Sequence, residues 1–322
     1  MSLVPQQELR FEEKITPYLK ELCEKSEALR KMYFFDEEYE DIPANLERDL
    51  LAEKKNTPTI GVIHKFNSRV LFLLSYTCFA NCRFCERQDR VGVGLDHEGR
   101  LNTHQIDKGI SYIQNNSKIN EVIFSGGDPL TNPLGLLYAV EKLKDIEHVK
   151  IIRIHTKMPV QMPDKVNYDI LQKVMESNKT TYLSIHINHP DELNQITIPV
   201  INKIRKLGFI LLSQSVFLKG INDNADTLFN LFNELACIGV RPYYIYHCQS
   251  IPTTDRFVMD ISEERKIMTN LRERLSGVAF PNHVIDIQGT TGKIIVPTDH
   301  WNEKTESIID YQGNSININE YK

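Results

Sequence analysis

The sequence predicts an α/β fold built around a parallel, barrel-like sheet, and three observations carry that reading. Six short apolar runs suited to buried strands recur along the chain, at Val70–Ser75, Glu121–Ser125, Ile151–His155, Thr181–His186, Phe209–Gln214 and Arg241–Tyr246. They alternate with amphipathic helical stretches at His104–Asn115, Leu134–Lys144, Tyr168–Ser177, Ile198–Leu207, Ala225–Ile238 and Ser262–Leu275. Strand–helix units in series imply parallel strands with right-handed crossovers, and runs apolar on both faces fit a sheet covered on both sides. Finally, polar residues gather at the C-terminal ends of the runs: Cys78–Cys85, Ser125–Asp128, His155–Lys157, His186–His189, Gln214 and Tyr246–Gln249. In a parallel barrel that end carries the active site, so the pattern points to an enzyme rather than to a binding module.

Local signals place the element ends. Lys206-Leu207-Gly208 and Ile238-Gly239 read as helix stops, and Asp223-Asn224 reads as an N-cap region for the helix at Ala225. Residues 1–56 read as an N-terminal helical extension, with helical spacing over Leu9–Lys31 and Ala44–Lys54. Residues 57–297 make the barrel and 298–322 a C-terminal tail. With 322 residues, 41% apolar and 25% charged, the chain has the ordinary globular mixture and enough length for a large core. Its 38 Lys+Arg against 43 Asp+Glu argue against nucleic acid or an anionic membrane as partner. No apolar run is long enough to span a bilayer, and Met1–Glu13 is too polar for a signal peptide, so the expected location is the cytoplasm.

Of six cysteines, Cys78, Cys82 and Cys85 fall within eight residues, whereas Cys23, Cys237 and Cys248 are isolated and read as small buried hydrophobes. A tight cluster in a cytosolic chain points to metal. The spacing is C-x3-C-x2-C, and a structural zinc site would need a fourth Cys or His from a second pair, which the downstream sequence lacks. Three thiolates on one loop suit a [4Fe–4S] cluster with one iron left open. Zinc and a reduced trio without metal are the alternatives.

The C-x3-C-x2-C motif after the first strand resembles the radical S-adenosylmethionine superfamily, and Phe124-Ser125-Gly126-Gly127-Asp128-Pro129-Leu130 resembles its element for the methionine amino group. The resemblance narrows to the lysine 2,3-aminomutase family, in its short, zinc-free form, from about Thr57 to Pro297. It is carried by Ile154–Val160, His186–Pro190, Gln214–Asp223 and Arg241–Tyr246. It implies a partial (β/α)6 TIM-like barrel of the radical SAM type. It also implies a 2,3-aminomutase, acting on an L-α-amino acid through a 5′-deoxyadenosyl radical with pyridoxal 5′-phosphate as a further cofactor.

The same resemblance assigns roles. Cys78, Cys82 and Cys85 would hold the cluster; Gly126, Gly127, Asp128, Thr156, Lys157, His186 and Gln214 would line the S-adenosylmethionine cleft, the two glycines letting the backbone approach the ligand. Lys293 would hold pyridoxal phosphate covalently, with Lys65 and Arg69 on its phosphate. Arg87 would meet the substrate carboxylate, and Gln249 with Asp286 its distal end. Three departures matter. The family's glycine run before the lysine is here Gln288-Gly289-Thr290-Thr291-Gly292; Gln249 stands where lysine-specific members carry an aspartate; and Asn224 stands at a zinc-binding cysteine of long members. The first keeps open an alternative, a radical SAM epimerase, dehydratase or dehydrogenase without pyridoxal phosphate. The expected partners are an amino acid and a reductant such as flavodoxin or ferredoxin, with neither nucleic acid nor membrane; a homodimer is left open.

Overall fold

The computed structural model describes residues 11–40, 49, 51–91, 99–251, 253–287, 292–311 and 313–321. Strands form wherever the sequence is apolar on both faces. In chain order they are β1 (Val62–Phe66), β2 (Arg69–Ser75), β3 (Glu121–Gly126), β4 (Ile151–Thr156), β5 (Thr180–His186), β6 (Ile210–Val216), β7 (Arg241–Tyr246), β8 (Asn282–Asp286) and β9 (Lys293–Ile295). Among the described residues these make one sheet whose spatial order is the chain order. Strands β2 to β8 are parallel, and β1 and β9 are antiparallel margins. The six predicted strands are thus β2 to β7, and the sheet adds a seventh parallel strand and two margins. The two ends of the sheet approach each other, because Lys65 Nζ on β1 lies 3.9 Å from Asp286 Oδ1 on β8, the last parallel strand. The sheet is therefore curled into a partial barrel.

The covering helices follow the predicted stretches within a residue or two: α4 (Thr103–Gln114), α5 (Pro133–Lys144), α7 (Tyr168–Met175), α8 (Thr197–Lys206), α9 (Ala225–Cys237) and α10 (Ile261–Arg274), with a one-turn α6 (Met158–Gln161) between β4 and α7. Asn102 and Gln105 form a reciprocal capping box on α4, and the Asn224 side chain caps α9 by accepting from the Thr227 amide. Helices α8 and α9 stop directly before Leu207-Gly208 and Ile238-Gly239, as the sequence predicts. The main core lies between sheet and helices and includes Phe72, Phe124, Ile154, Leu183, Leu231 and Leu271, all fully buried. Cys23 and Cys248 are buried, but Cys237 is exposed, because it ends α9 on the turn that faces solvent.

The N-terminal extension differs from a single helix over Leu9–Lys31. Thr16 and Ser26 each cap a new helix, giving α1 (Pro17–Cys23) and α2 (Glu27–Tyr33), followed by α3 (Glu37–Glu40). Of the second expected helix, residues 44–48 and 50 lie outside the described residues. Its last part, Leu51–Lys54, forms turns, with the Asp49 carboxylate accepting from the amides of Glu53 and Lys54. Leu19, Leu29, Met32 and Tyr33 are fully buried in a second core with Ala80, Phe84 and Phe257. Each such side chain contributes at most about 1.5–3 kcal/mol. The C-terminal tail forms a small antiparallel sheet of β10 (Trp301–Asn302), β11 (Ser307–Ile309) and β12 (Ser315–Asn317). It is tied to α10 by Arg265–Asp299 and by the Asp299 amide on Thr269 Oγ1 at 2.8 Å.

Where β3 ends, its backbone packs on the segment leaving β2. The Gly127 amide donates to Ser75 O at 2.7 Å and the Asp128 amide to Thr77 O at 2.8 Å. A Cβ would stand 2.0 Å from Ser75 O at Gly126 and 2.3 Å from Thr77 O at Gly127. The two glycines therefore serve the approach of one protein segment to another. A side chain at either position would displace the segment that leads into the cysteine loop. Gly292, by contrast, has open space around a built Cβ. Gly127→Ala should therefore destabilise the protein by about 3 kcal/mol in urea denaturation, while Gly292→Ala should stay within about 0.5 kcal/mol; equal effects would refute the packing account.

Candidate functional site

One cavity of about 370 Å³ opens inside the curl, within the usual range for a small-molecule site. All the residues singled out in the sequence line it: Cys78, Cys82, Cys85, Gly126, Gly127, Asp128, Thr156, Lys157, His186, Gln214, Lys65, Arg69, Lys293, Arg87, Gln249 and Asp286. It runs from the cysteine loop beyond the C-terminal end of β2 down to Arg69 at that strand's start. The cysteine loop has no regular structure of its own. From inside it is held by the Gly126–Asp128 contacts. From outside the Asn81 amide donates to Lys14 O at 2.8 Å, the Arg83 amide to Met32 O at 2.8 Å, and Lys14 Nζ to Cys78 O at 2.6 Å.

Burial pushes all three thiols up, Cys82 to about 11 and Cys85 to about 12, so unligated they are neutral. Metal binding would have to displace their protons. Three thiols on one loop, all lining the cavity, suit a cluster in which each thiolate takes a different iron. The donor set fits a [4Fe–4S] group.

Several assigned residues already have partners within the protein. The Asp128 carboxylate accepts from the amides of Leu130, Lys157 and Met158 at 2.8–3.1 Å and from Thr156 Oγ1 at 2.8 Å, locking the end of β3 to the end of β4. Lys157 Nζ donates to Glu192 Oε1 at 2.5 Å and to His186 O, and Glu192 in turn accepts from the amides of Asn188 and His189. Arg87 forms a fork onto Glu53, with Nη2 to Oε1 at 2.8 Å and Nε to Oε2 at 3.2 Å. Gln249 Nε2 donates to the Asp286 carbonyl at 2.7 Å.

At the basic end, the register pairs Asp286 with Lys293 across β8 and β9, which explains their seven-residue spacing. Lys293 Nζ donates to Asp286 Oδ2 at 2.7 Å and lies 4.5 Å from the Tyr246 ring centroid. Arg69 stacks on Phe66 at 3.9 Å and makes no ion pair among the described residues. A free guanidinium with Lys65 and Lys293 nearby fits a phosphate-bearing carbonyl cofactor. Polar atoms on the cavity wall also lack a hydrogen bond among the described residues: His155 Nε2, His186 Nε2 and Arg153 Nε are buried without one. Such atoms mark where a polar ligand would bind. Burial, then neighbouring cations, hold His155 well below its ordinary value and His186 at about 3, so both imidazoles are neutral.

The segment 72–232 matches the model of the radical SAM superfamily. The L-lysine 2,3-aminomutase of Buchnera aphidicola is 36% identical over 253 residues, covering 78% of this chain and 73% of its own. The chain belongs to the lysine 2,3-aminomutase family of the radical SAM superfamily. The family enzymes named L-lysine 2,3-aminomutase in Escherichia coli and Methanococcus maripaludis are each 32% identical, over 75% and 82% of this chain and 70% and 61% of theirs. A radical SAM methyltransferase from Sphaerobacter thermophilus shares the fold, with TM-score 0.53 and 13% identity over 70% of this chain and 68% of its own. Membership makes the protein an isomerase of the aminomutase type that uses a [4Fe–4S] cluster and S-adenosylmethionine. Among the described residues, no helix is long and apolar enough to cross a membrane.

Sequence reasoning placed His155 and Tyr246 in the polar rim without giving either a role, and it passed over Glu53. Glu53 gave no signal, since it belongs to a segment read as helical. Burial pushes Glu53 up, but Arg87, Arg90 and Lys65 outweigh that and hold it below the ordinary 4.5. A carboxylate depressed in the folded state contributes stability above its unfolded pKa and loses it as pH falls through the folded one. Acid unfolding of the wild type should therefore steepen below about pH 4.5, and Glu53→Gln should flatten that limb in a pH series of urea midpoints; an unchanged limb would refute the pairing.

Proposed function

We propose that this enzyme moves the α-amino group of an L-α-amino acid to the β-carbon, with pyridoxal phosphate held by Lys293 and an amino acid other than lysine as its best substrate. The observation that carries the reading is that one cavity joins the three cysteines to Lys293, Arg69 and Lys65. When bound, the cluster with S-adenosylmethionine supplies a carbon-centred radical, and pyridoxal phosphate carries the amino group while it migrates. Cys78, Cys82 and Cys85 are the cluster ligands in this reading. Arg69 and Lys65 supply positive charge for the phosphate, and Tyr246 lays its ring beside the Lys293 ammonium. Neutral His155 and His186 offer hydrogen bonds without adding charge, and Arg87, fixed by Glu53, presents its remaining N–H groups to a substrate carboxylate. Apolar walls from Val70, Ile123 and Phe84 keep water from the reacting atoms. We further place the enzyme in the cytoplasm, with flavodoxin or ferredoxin as electron donor.

Substrate choice follows from charge. Asp286 is already shared by Lys293 and Lys65, and Gln249 brings no second carboxylate. A buried substrate ammonium would be under-compensated. The protein purified anaerobically should contain iron and sulfide, and Cys82→Ala should lose both the cluster absorbance and the release of 5′-deoxyadenosine. It should show a visible pyridoxal band that borohydride bleaches and Lys293→Ala abolishes. Full cluster content in Cys82→Ala would refute the ligand assignment, and a holo-protein without pyridoxal would favour the family scaffold without that cofactor.

In an amino-acid screen, substrates with a neutral side-chain end should exceed L-lysine in kcat/KM. Gln249→Asp should raise the ratio for L-lysine over L-norleucine about tenfold, or ~1.4 kcal/mol. L-lysine as the best wild-type substrate would overturn the selectivity reading.

A further inference from the structure

Cys82 is the middle cysteine of the loop, and a buried side chain from another element donates to its sulfur. Gln161, the last residue of α6, is 1% exposed. Its Nε2 donates to Cys82 Sγ at 3.5 Å and to Ala80 O at 3.2 Å. Its backbone is pinned from the N-terminal extension, since Thr16 Oγ1 donates to Gln161 O at 2.7 Å. The charges on that side of the loop are already paired, since Lys157 Nζ donates to the buried Glu192 carboxylate.

Donors aimed at a cysteine sulfur stabilise the more negative state of an iron–sulfur group and so raise its reduction potential. The step concerned is uptake of one electron by the bound cluster from a low-potential iron–sulfur or flavin carrier protein, with no bond made or broken. We propose that Gln161 is a positioning residue that raises this potential through its hydrogen bond to the Cys82 sulfur. The N-terminal extension holds that donor in place through Thr16. This rests on Cys82 being a cluster ligand.

The test is a redox titration of the anaerobically reconstituted protein, followed by electron paramagnetic resonance of the reduced cluster, for wild type, Gln161→Met and Gln161→Leu. Each substitution removes the donor and keeps most of the side-chain volume. Each variant should be about tenfold harder to reduce, a midpoint ~59 mV lower for one electron, with wild-type iron content. Full iron content with an unmoved midpoint in both variants would overturn the proposal. So would loss of the cluster from both, which would make Gln161 a mere support of the loop. A wild-type protein that takes up no cluster would instead refute the ligand assignment itself.

Discussion

The structure depends on how an irregular loop carrying three buried thiols is held in place. Cys78–Cys85 makes no ladder of its own, so its position is set entirely by its neighbours. On the inner side are two glycines whose lack of a Cβ lets the backbone after β3 lie against Ser75 and Thr77. On the outer side is the N-terminal extension, bonded to the loop at Lys14 and Met32 and packed on it through Leu29, Met32 and Tyr33. The inner contacts meet the start of the loop, and the outer ones its middle, beside the buried apolar face of α1 and α2.

The same loop anchors a chain of polar links around the rim. Gly127 and Asp128 tie β3 to the loop after β2; the Asp128 carboxylate ties β3 to β4; and Lys157 ties β4 to the turn after β5 through Glu192. Each link uses a charge or amide that an open strand end would leave unpaired, so the rim is both satisfied and rigid. Asp128 and Lys157 therefore influence any ligand by holding strand ends at fixed separations, since their charged groups are occupied by the protein itself.

Much of this was legible in the sequence, and the failures have physical causes. Strands β2 to β7 are apolar on both faces and bounded by helices, so periodicity and length identify them. Strand β8 begins with Asn282 and His283, and His283 is buried only because Glu264 on α10 accepts from it at 2.8 Å; a pairing between distant segments leaves no local pattern. Strands β1 and β9 are sheet margins with mixed polarity. The extension looked like one long helix because spacing alone does not register the caps at Thr16 and Ser26. The cysteines were legible by spacing, and Lys293 with Asp286 by resemblance, but Glu53 meets Arg87 across 34 residues of chain. The Gly126-Gly127 pair was legible as a close approach, but the protein segment approached, at Ser75 and Thr77, left no local signal.

Charge then explains why the cavity has two dissimilar ends. Around the sulfurs the formal charges cancel or are absent: the thiols and His186 are neutral and Lys157 is matched by Glu192. At the other end Lys65, Arg69 and Lys293 face the single carboxylate of Asp286, because Glu121 is held by Arg153 and Glu53 by Arg87. A dianionic group gains most by entering the basic end, where it also offsets cations the protein leaves unbalanced. A neutral or thiolate-bound group meets the least opposition at the other. Its wall runs from Cys85 to Arg69 past residues of β2 and β3. Uncompensated charge thus distinguishes the two ends of one cavity.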